Sequence, residues 1–380
     1  MNRSHRGAMG PSAIRLALVA AAALAVGDPV HGAEGPSASV ESLIQRYQLE
    51  QSTVPVKERP GWRKPRRILL GGAAASMLPA LKEVAPQVEF TVANPSDLAR
   101  QAATADVLFG ICSPEALAAG KSVQWINLFS AGVERCVAIP AVRERNILVT
   151  NMQRLGGPVI AEHVMAMTLA LARGLDLYFP AQAKHEWRRT IPQRRVEVVQ
   201  DKTMLVVGLG GIGSEVAKRA HALGMRVIAT RASGRTGPDF VSYVGLPEEL
   251  LKLTADADVV VNTAPLTPQT QDLFDAAFFA RMKPTAYFIN VARGGSVVTD
   301  ALVAALKNRR IAGAGLDVTD PEPLPPDHPL WSAPNVIITP HVANDSDLGS
   351  DVELAISREN LRRYIAGERM LSVVDVTRGY

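Results

Sequence analysis

From Arg67 onward the chain alternates short apolar runs with stretches of helical periodicity. Runs at 68–70, 88–92, 106–110, 124–129 and 146–150, separated by helical spacers, predict a small parallel sheet covered on both faces. A second series at 203–208, 225–230, 258–262, 286–291, 313–318 and 336–339 predicts six more strands, enough for a complete doubly wound sheet. Between the two series, GPVIAEHVMAMTLALARG at 157–174 reads as one helix, with Pro158 at its start and Gly174 at its end. It is apolar nearly all round, which predicts burial at a junction. Glu162 and His163 within it read as structural. Residues 350–366 read as a last helix, and no repeat is evident beyond the two α/β halves.

The N-terminus has a different texture. Arg3, Arg6 and Arg15 precede the apolar run Leu16–Val26, which is too short to span a bilayer as a helix. Val30 and Gly32 suit the −3 and −1 positions of a cleavage site, so residues 1–33 read as a secretory signal peptide. No Arg-Arg pair marks a twin-arginine signal. The alternatives are a misassigned start and a buried N-terminal helix. Residues 34–65 read as a linker or arm, with a partial apolar helical face between Val40 and Gln51 and then a segment rich in Pro and charge. The arm is read as mobile or as lying on a neighbouring surface.

Apolar residues at 47% and charged residues at 21% exclude wholesale disorder. The net charge of +4 is unevenly placed: residues 1–67 hold ten Lys or Arg against five Asp or Glu. The remainder is near neutral and offers no basic footprint for nucleic acid. Cys112 and Cys136 are too few for a disulfide scaffold or a Cys-rich zinc module. They read as small buried residues, with a disulfide after export as the alternative. His163, His185, His221 and His328 lack metal-ligand spacing, so no metal is assigned. Ser130 lacks a nucleophile-elbow context. Trp187 and Arg188 read as packing or capping residues.

Gly208-Leu209-Gly210-Gly211-Ile212-Gly213 follows a predicted strand and opens a helix, the context that a dinucleotide-binding turn requires. Gly208 permits the turn, Gly210 admits a pyrophosphate, and Gly213 lets helix and strand approach. The helix N-terminus offers N–H groups to phosphate. At the end of the next strand an NAD enzyme carries an acidic residue. Arg231 stands there instead, followed by Ser233 and Arg235. Arginine pairs with a 2′-phosphate, so NADP(H) is expected over NAD(H).

Arg293, Glu322 and His341 each lie just beyond a predicted strand of the second series, where ligands bind in an open α/β sheet. Their types suit hydride transfer to a 2-keto acid. An arginine binds the carboxylate and polarises the carbonyl, a histidine supplies the proton, and a glutamate orients that histidine.

At these residues the sequence resembles the D-isomer-specific 2-hydroxyacid dehydrogenases, with AGV at 131–133, IAEHV at 160–164 and TAPLTPQT at 263–270 in support. The resemblance covers roughly 66–380. It implies a Rossmann nucleotide domain (156–341) inserted into a flavodoxin-like substrate domain (66–155 and 342–380), with hinges near 152–156 and 342–346. It places the catalytic roles on Arg293, Glu322 and His341, and a substrate-carboxylate loop on Ala131, Gly132 and Val133. It places a nicotinamide contact on Asp317 and a cofactor-facing loop on Ala264, Pro265 and Leu266. Val291, Ala292 and Asn344 join the cofactor-lining set. Homodimers and substrates such as glyoxylate, hydroxypyruvate, pyruvate and phosphoglycerate-like acids are implied.

Two departures stand out. After the histidine the family carries small residues, whereas this chain reads ProHisValAlaAsnAspSerAsp at 340–347. The signal peptide also contrasts with a mostly cytoplasmic family, in the compartment where NADPH is regenerated. The reading is an exported NADPH-dependent 2-keto acid reductase, without stable membrane insertion once the signal is removed. A misread signal makes it cytoplasmic. The alternatives are a non-catalytic nicotinamide-nucleotide sensor on the same fold and an exported redox partner docked by its arm.

Overall fold

The computed structural model describes residues 39–190, 196–347 and 349–379; the signal-peptide reading of 1–33 lies outside them. The first sheet comprises β1 (Arg67–Leu70), β2 (Glu89–Val92), β3 (Val107–Phe109), β4 (Trp125–Asn127) and β5 (Leu148–Thr150). All are parallel, in the order β2-β1-β3-β4-β5, which is the flavodoxin-like arrangement. β3, β4 and β5 are buried at every position, which is why they read as unbroken apolar runs.

The second sheet comprises β6 (Thr203–Val207), β7 (Arg226–Thr230), β8 (Val241–Gly245), β9 (Val259–Asn262), β10 (Tyr287–Asn290), β11 (Gly313–Leu316) and β12 (Val336–Ile338). Its order is β12-β11-β10-β9-β6-β7-β8, again all parallel. This is the doubly wound Rossmann order with one further strand beyond β11. The order reverses where β6 lies between β7 and β9, and the crevice for a ligand opens there, at the carboxyl ends. β8 lies outside the strands that the sequence pattern predicts. It is an edge strand with Ser242 and Tyr243 exposed, so its apolar signal is thin.

The helix Gly157–Arg173 starts with Pro158 in its first turn and ends at Gly174 in the left-handed conformation. The N–H of Gly174 returns to Ala170 and Leu171 carbonyls, satisfying the helix end. Its side chains share a core with β6, β7, β9, β10 and the helix Gly211–Ala222. On the opposite face of the sheet, Phe274, Phe278, Phe279 and Phe288 pack edge to face or tilted. Each such pair adds roughly 0.5–1.5 kcal/mol beyond area burial.

The arm does not run free. The helix Val40–Tyr47 is capped by the Ser39 hydroxyl, and Leu43, Leu49 and Val56 are buried. Backbone N–H groups of Ser52 and Val56 donate to Met370 and Glu368 carbonyls. Arg63 pairs with Asp106 at 2.8 Å and Arg67 with Glu89 at 2.8 Å, so these basic residues of the strip find carboxylates on the first sheet. The C-terminal helix Gly349–Ala366 returns to the same sheet, where Leu361 and Tyr364 share a core with β1, β3 and β4.

Two readings are corrected. Cys112 and Cys136 form a disulfide, with Cα atoms 5.5 Å apart. The fold brings the loop after β3 beside the helix Glu134–Val137, a proximity that a separation of 24 residues does not reveal. Trp187 does not pack, being 94% exposed, and Arg188 pairs with Glu186. Among the described residues no helix is long and apolar enough to cross a membrane.

Candidate active site

The glycine turn runs from the end of β6 into the helix Gly211–Ala222. Gly208 has φ +96°, and a Cβ there would lie 2.7 Å from the Ala264 Cα. A Cβ at Gly213 would lie 2.2 Å from the Gly208 carbonyl oxygen. Around Gly210 there is open space, with no atom within 4 Å of a Cβ position. Gly210 is the N-cap of a helix that has no side-chain cap. The first N–H groups of that helix therefore face an open cradle of the kind a phosphate fills. The loop after β9 packs on this turn: the Thr263 hydroxyl donates to the Gly208 carbonyl at 2.7 Å, and Ala264 is buried.

Beyond β7, the Arg231 Nε donates to the Ser233 hydroxyl at 2.7 Å and its Nη1 to the Thr236 carbonyl at 2.9 Å. Among the described residues no carboxylate pairs with it. Arg235 is different. It pairs with Glu249 at 2.6 Å and touches the Tyr243 hydroxyl. The Tyr243 hydrogen bond, the Leu246 N–H and Arg235 draw the Glu249 carboxyl down to about 2. Arg235 thus already meets a carboxylate, whereas among the described residues Arg231 meets none and with Ser233 offers its charge to a 2′-phosphate.

A buried polar network shapes the turn after β10. Asn290 Oδ1 accepts from Asn262 Nδ2 at 3.0 Å and from the Ala292 N–H at 3.1 Å. The Arg293 carbonyl accepts from Asn290 Nδ2 at 3.0 Å and from the Ser296 hydroxyl at 2.7 Å. Val291 and Ala292 are buried beside it. These bonds fix the backbone from which the Arg293 side chain projects. Its Nη2 abuts Gly132: a Cβ there would be 1.7 Å away. The Ala131 carbonyl accepts from Asn151 Nδ2 at 2.7 Å, and Val133 is buried. Loop 131–133 and Arg293 are therefore in direct contact across the two sheets.

Gly294 continues the contact chain, since a Cβ there would lie 1.9 Å from the Thr319 carbonyl oxygen. That segment leads to Glu322, whose Oε1 lies 2.6 Å from His341 Nδ1. Both side chains are exposed, at 41% and 47%. His341 has φ +59°, a left-handed backbone that a non-glycine residue adopts only when held. Asp317 holds it. Its Oδ1 accepts from the Thr339 hydroxyl at 2.6 Å and the Val342 N–H at 2.9 Å, and its Oδ2 from the Ala343 N–H at 3.0 Å. His163 Nε2 lies 2.9 Å from the Thr339 hydroxyl oxygen. The residue expected to face a nicotinamide is thus bound chiefly to the histidine turn.

Asn344 sits against Gly156, with its Oδ1 2.0 Å from where a Cβ on that glycine would be. Leu266 lies beside Gly295. Sequence reasoning missed Asn262, Asn290, Ser296, Thr339 and Glu134. Asn262, Asn290 and Thr339 lie at the ends of the predicted strands 258–262, 286–291 and 336–339, where a polar residue closing an apolar run is the available signal, whereas Ser296 and Glu134 lie in no predicted strand.

Comparison with known proteins matches residues 165–343 to the family model described as D-isomer specific 2-hydroxyacid dehydrogenase, NAD binding domain. A glyoxylate/hydroxypyruvate reductase A of Photorhabdus laumondii is 31% identical over 271 residues, covering 70% of this chain and 84% of that one. A solved D-isomer specific 2-hydroxyacid dehydrogenase of Xanthobacter autotrophicus, in complex with NADPH and MES, is 30% identical with a TM-score of 0.70, covering 82% of this chain and 99% of that one. An NADPH-dependent glyoxylate/hydroxypyruvate reductase of Sinorhizobium meliloti, in complex with NADP and sulfate, is 27% identical with a TM-score of 0.71, covering 83% and 99%.

Proposed function

The chain belongs to the D-isomer specific 2-hydroxyacid dehydrogenase family, and on that premise we propose that it reduces a small 2-keto acid to the D-2-hydroxy acid with NADPH. One observation carries this reading: the His341–Glu322 pair stands at the end of a contact chain that begins at loop 131–133 and passes through Arg293. The open cradle at Gly210 and the unpaired charge of Arg231 support the cofactor assignment. The relatives that bind NADPH or NADP point the same way.

The nicotinamide, when bound, supplies the hydride that adds to C2 of the keto acid. Arg293 and the N–H groups of loop 131–133 receive the substrate carboxylate, which orients the carbonyl. An ionised Glu322 accepts only, so His341 Nδ1 carries its proton and Nε2 is the nitrogen left for exchange. Protonated His341 gives that Nε2 proton to the forming alkoxide and is left neutral, while Glu322 accepts from Nδ1 and orients the ring. Asp317 keeps the histidine turn in place. The purified chain with glyoxylate or hydroxypyruvate is expected to consume NADPH at a rate that falls sharply in His341→Ala.

Two assignments accompany this. The first is a homodimer: Leu175, Phe179, Trp187 and Val198 are exposed, and such apolar exposure suits burial against a second copy. The second is export, supported by the Cys112–Cys136 disulfide, which persists in oxidising compartments. Light scattering and fractionation of the expressing cell test them separately.

A further inference from the structure

Glu134 follows loop 131–133 directly, in the first turn of the helix Glu134–Val137. Its Oε1 accepts a hydrogen bond from Arg293 Nε at 2.6 Å. The Nη1 of the same guanidinium donates to the Ala292 carbonyl at 2.7 Å. Two anchors on two nitrogens fix both the place and the plane of a rigid planar group. Among the described residues no hydrogen bond reaches Nη2 or the second N–H of Nη1, which leaves a single edge beside Gly132. The second Glu134 oxygen stays on the same side, 2.9 Å from a Cβ position on Gly132. Burial works to raise the Glu134 carboxyl, but the hydrogen bond and charge of Arg293 outweigh it and leave the group below its ordinary value. Cys136, two residues on, ties this helix to the loop after β3.

We propose that Glu134 is a positioning and specificity-determining residue: it sets the plane of Arg293 for one carboxylate and turns away keto acids that carry a second. The inference rests on the reading of the cleft as a 2-keto acid site. With Glu134 ionised, the Arg293–Glu134 pair is neutral as a unit. A keto monocarboxylate meets the free edge of the guanidinium. A dicarboxylate adds a second negative charge to a site that already holds the fixed carboxylate of Glu134, with only one guanidinium to meet it, and that added repulsion is a built-in penalty. The substrate class is therefore the 2-keto monocarboxylates with uncharged tails.

The test compares pyruvate with oxaloacetate in the full chain and in Glu134→Gln, Glu134→Ala and Glu134→Asp. Glu134→Gln keeps an acceptor for Arg293 and removes the charge. It is expected to shift the kcat/KM ratio about tenfold toward oxaloacetate. Glu134→Ala is expected to raise KM for pyruvate about tenfold while KM for NADPH stays put. Glu134→Asp is expected to recover most of that loss. An unmoved ratio in Glu134→Gln, alongside active wild type, overturns the inference and leaves the reductase reading standing. If wild type turns over neither acid, the reductase reading fails on its own. Calorimetric binding of the two acids in the presence of NADP then reads the same ratio, and an equal preference in wild type and Glu134→Gln overturns the inference there as well.

Discussion

The carboxylate of Asp317 grips the backbone on the far side of His341. It accepts the N–H groups of Val342 and Ala343, while its own carbonyl accepts the His341 N–H at 2.8 Å. A left-handed histidine is thereby held ready at the mouth of the cleft. Asp317→Asn replaces one acceptor oxygen with a donor and strands at least one buried N–H, at a cost of about 1–3 kcal/mol. The expected outcome is a lower Tm together with a kcat loss of about tenfold or more. Melting curves and steady-state kinetics on the same sample check it; unchanged kcat would show that the histidine turn stands without Asp317.

Gly210 and Gly213 separate binding from folding. A Cβ on Gly210 meets nothing within 4 Å, so Gly210→Ala is expected to keep its Tm and lose NADPH affinity, the new methyl intruding on the cradle. A Cβ on Gly213 lies 2.2 Å from a carbonyl oxygen, so Gly213→Ala is expected to destabilise the apo protein by about 1–3 kcal/mol. Titration of NADPH into each variant, with its melting curve, distinguishes the two effects.

Arg231 and Arg235 are predicted to be unequal. Removing Arg231 is expected to raise KM for NADPH by about tenfold to a hundredfold and to leave KM for NADH nearly unchanged. Arg235→Ala is expected to do much less, because Glu249 already occupies that guanidinium. Glu249 has a depressed folded value of about 2, so its pairing is complete above the ordinary carboxylate range and fades only as pH falls toward that value. Glu134 is depressed in the same sense. Both acids stay ionised as pH rises above the ordinary carboxylate range, so loss of the Arg235–Glu249 or Arg293–Glu134 pairing is expected only on acidification, and kcat/KM followed downward in pH checks it. Equal effects of the two arginine variants would remove Arg231 from its special place.

The disulfide is expected to stabilise the first lobe. Replacing Cys112 and Cys136 together with Ala, or reducing the protein, is expected to lower stability by about 2–4 kcal/mol. Because Cys136 shares a helix with Glu134, the same change is expected to raise KM for the keto acid more than KM for NADPH. Denaturation midpoints and the two KM values measure each consequence.

What was legible in the sequence was whatever is written locally. β6 and β10 are buried at every position and read as unbroken apolar runs. The glycine turn has a fixed spacing, and Arg293, Glu322 and His341 each follow a strand. β8 was lost because an edge strand with two exposed central residues carries little periodicity. Glu134 was lost for another reason: it meets Arg293 across 159 residues of chain, and only the folding of one sheet toward the other creates that contact. The Asp317 network was hidden likewise, since its donors are mostly backbone N–H groups, which every sequence possesses. The cysteine pairing and the meeting of Arg235 with Glu249 are also products of tertiary geometry.

The most direct measurement follows NADPH oxidation by the purified chain with glyoxylate and hydroxypyruvate, in wild type, His341→Ala and Glu322→Gln. The account predicts turnover by wild type that prefers NADPH to NADH. It predicts a kcat loss of about a hundredfold to ten-thousandfold in His341→Ala, and a smaller loss in Glu322→Gln with KM little changed. NADPH binding without turnover of either acid, or turnover that survives intact in His341→Ala, would contradict it.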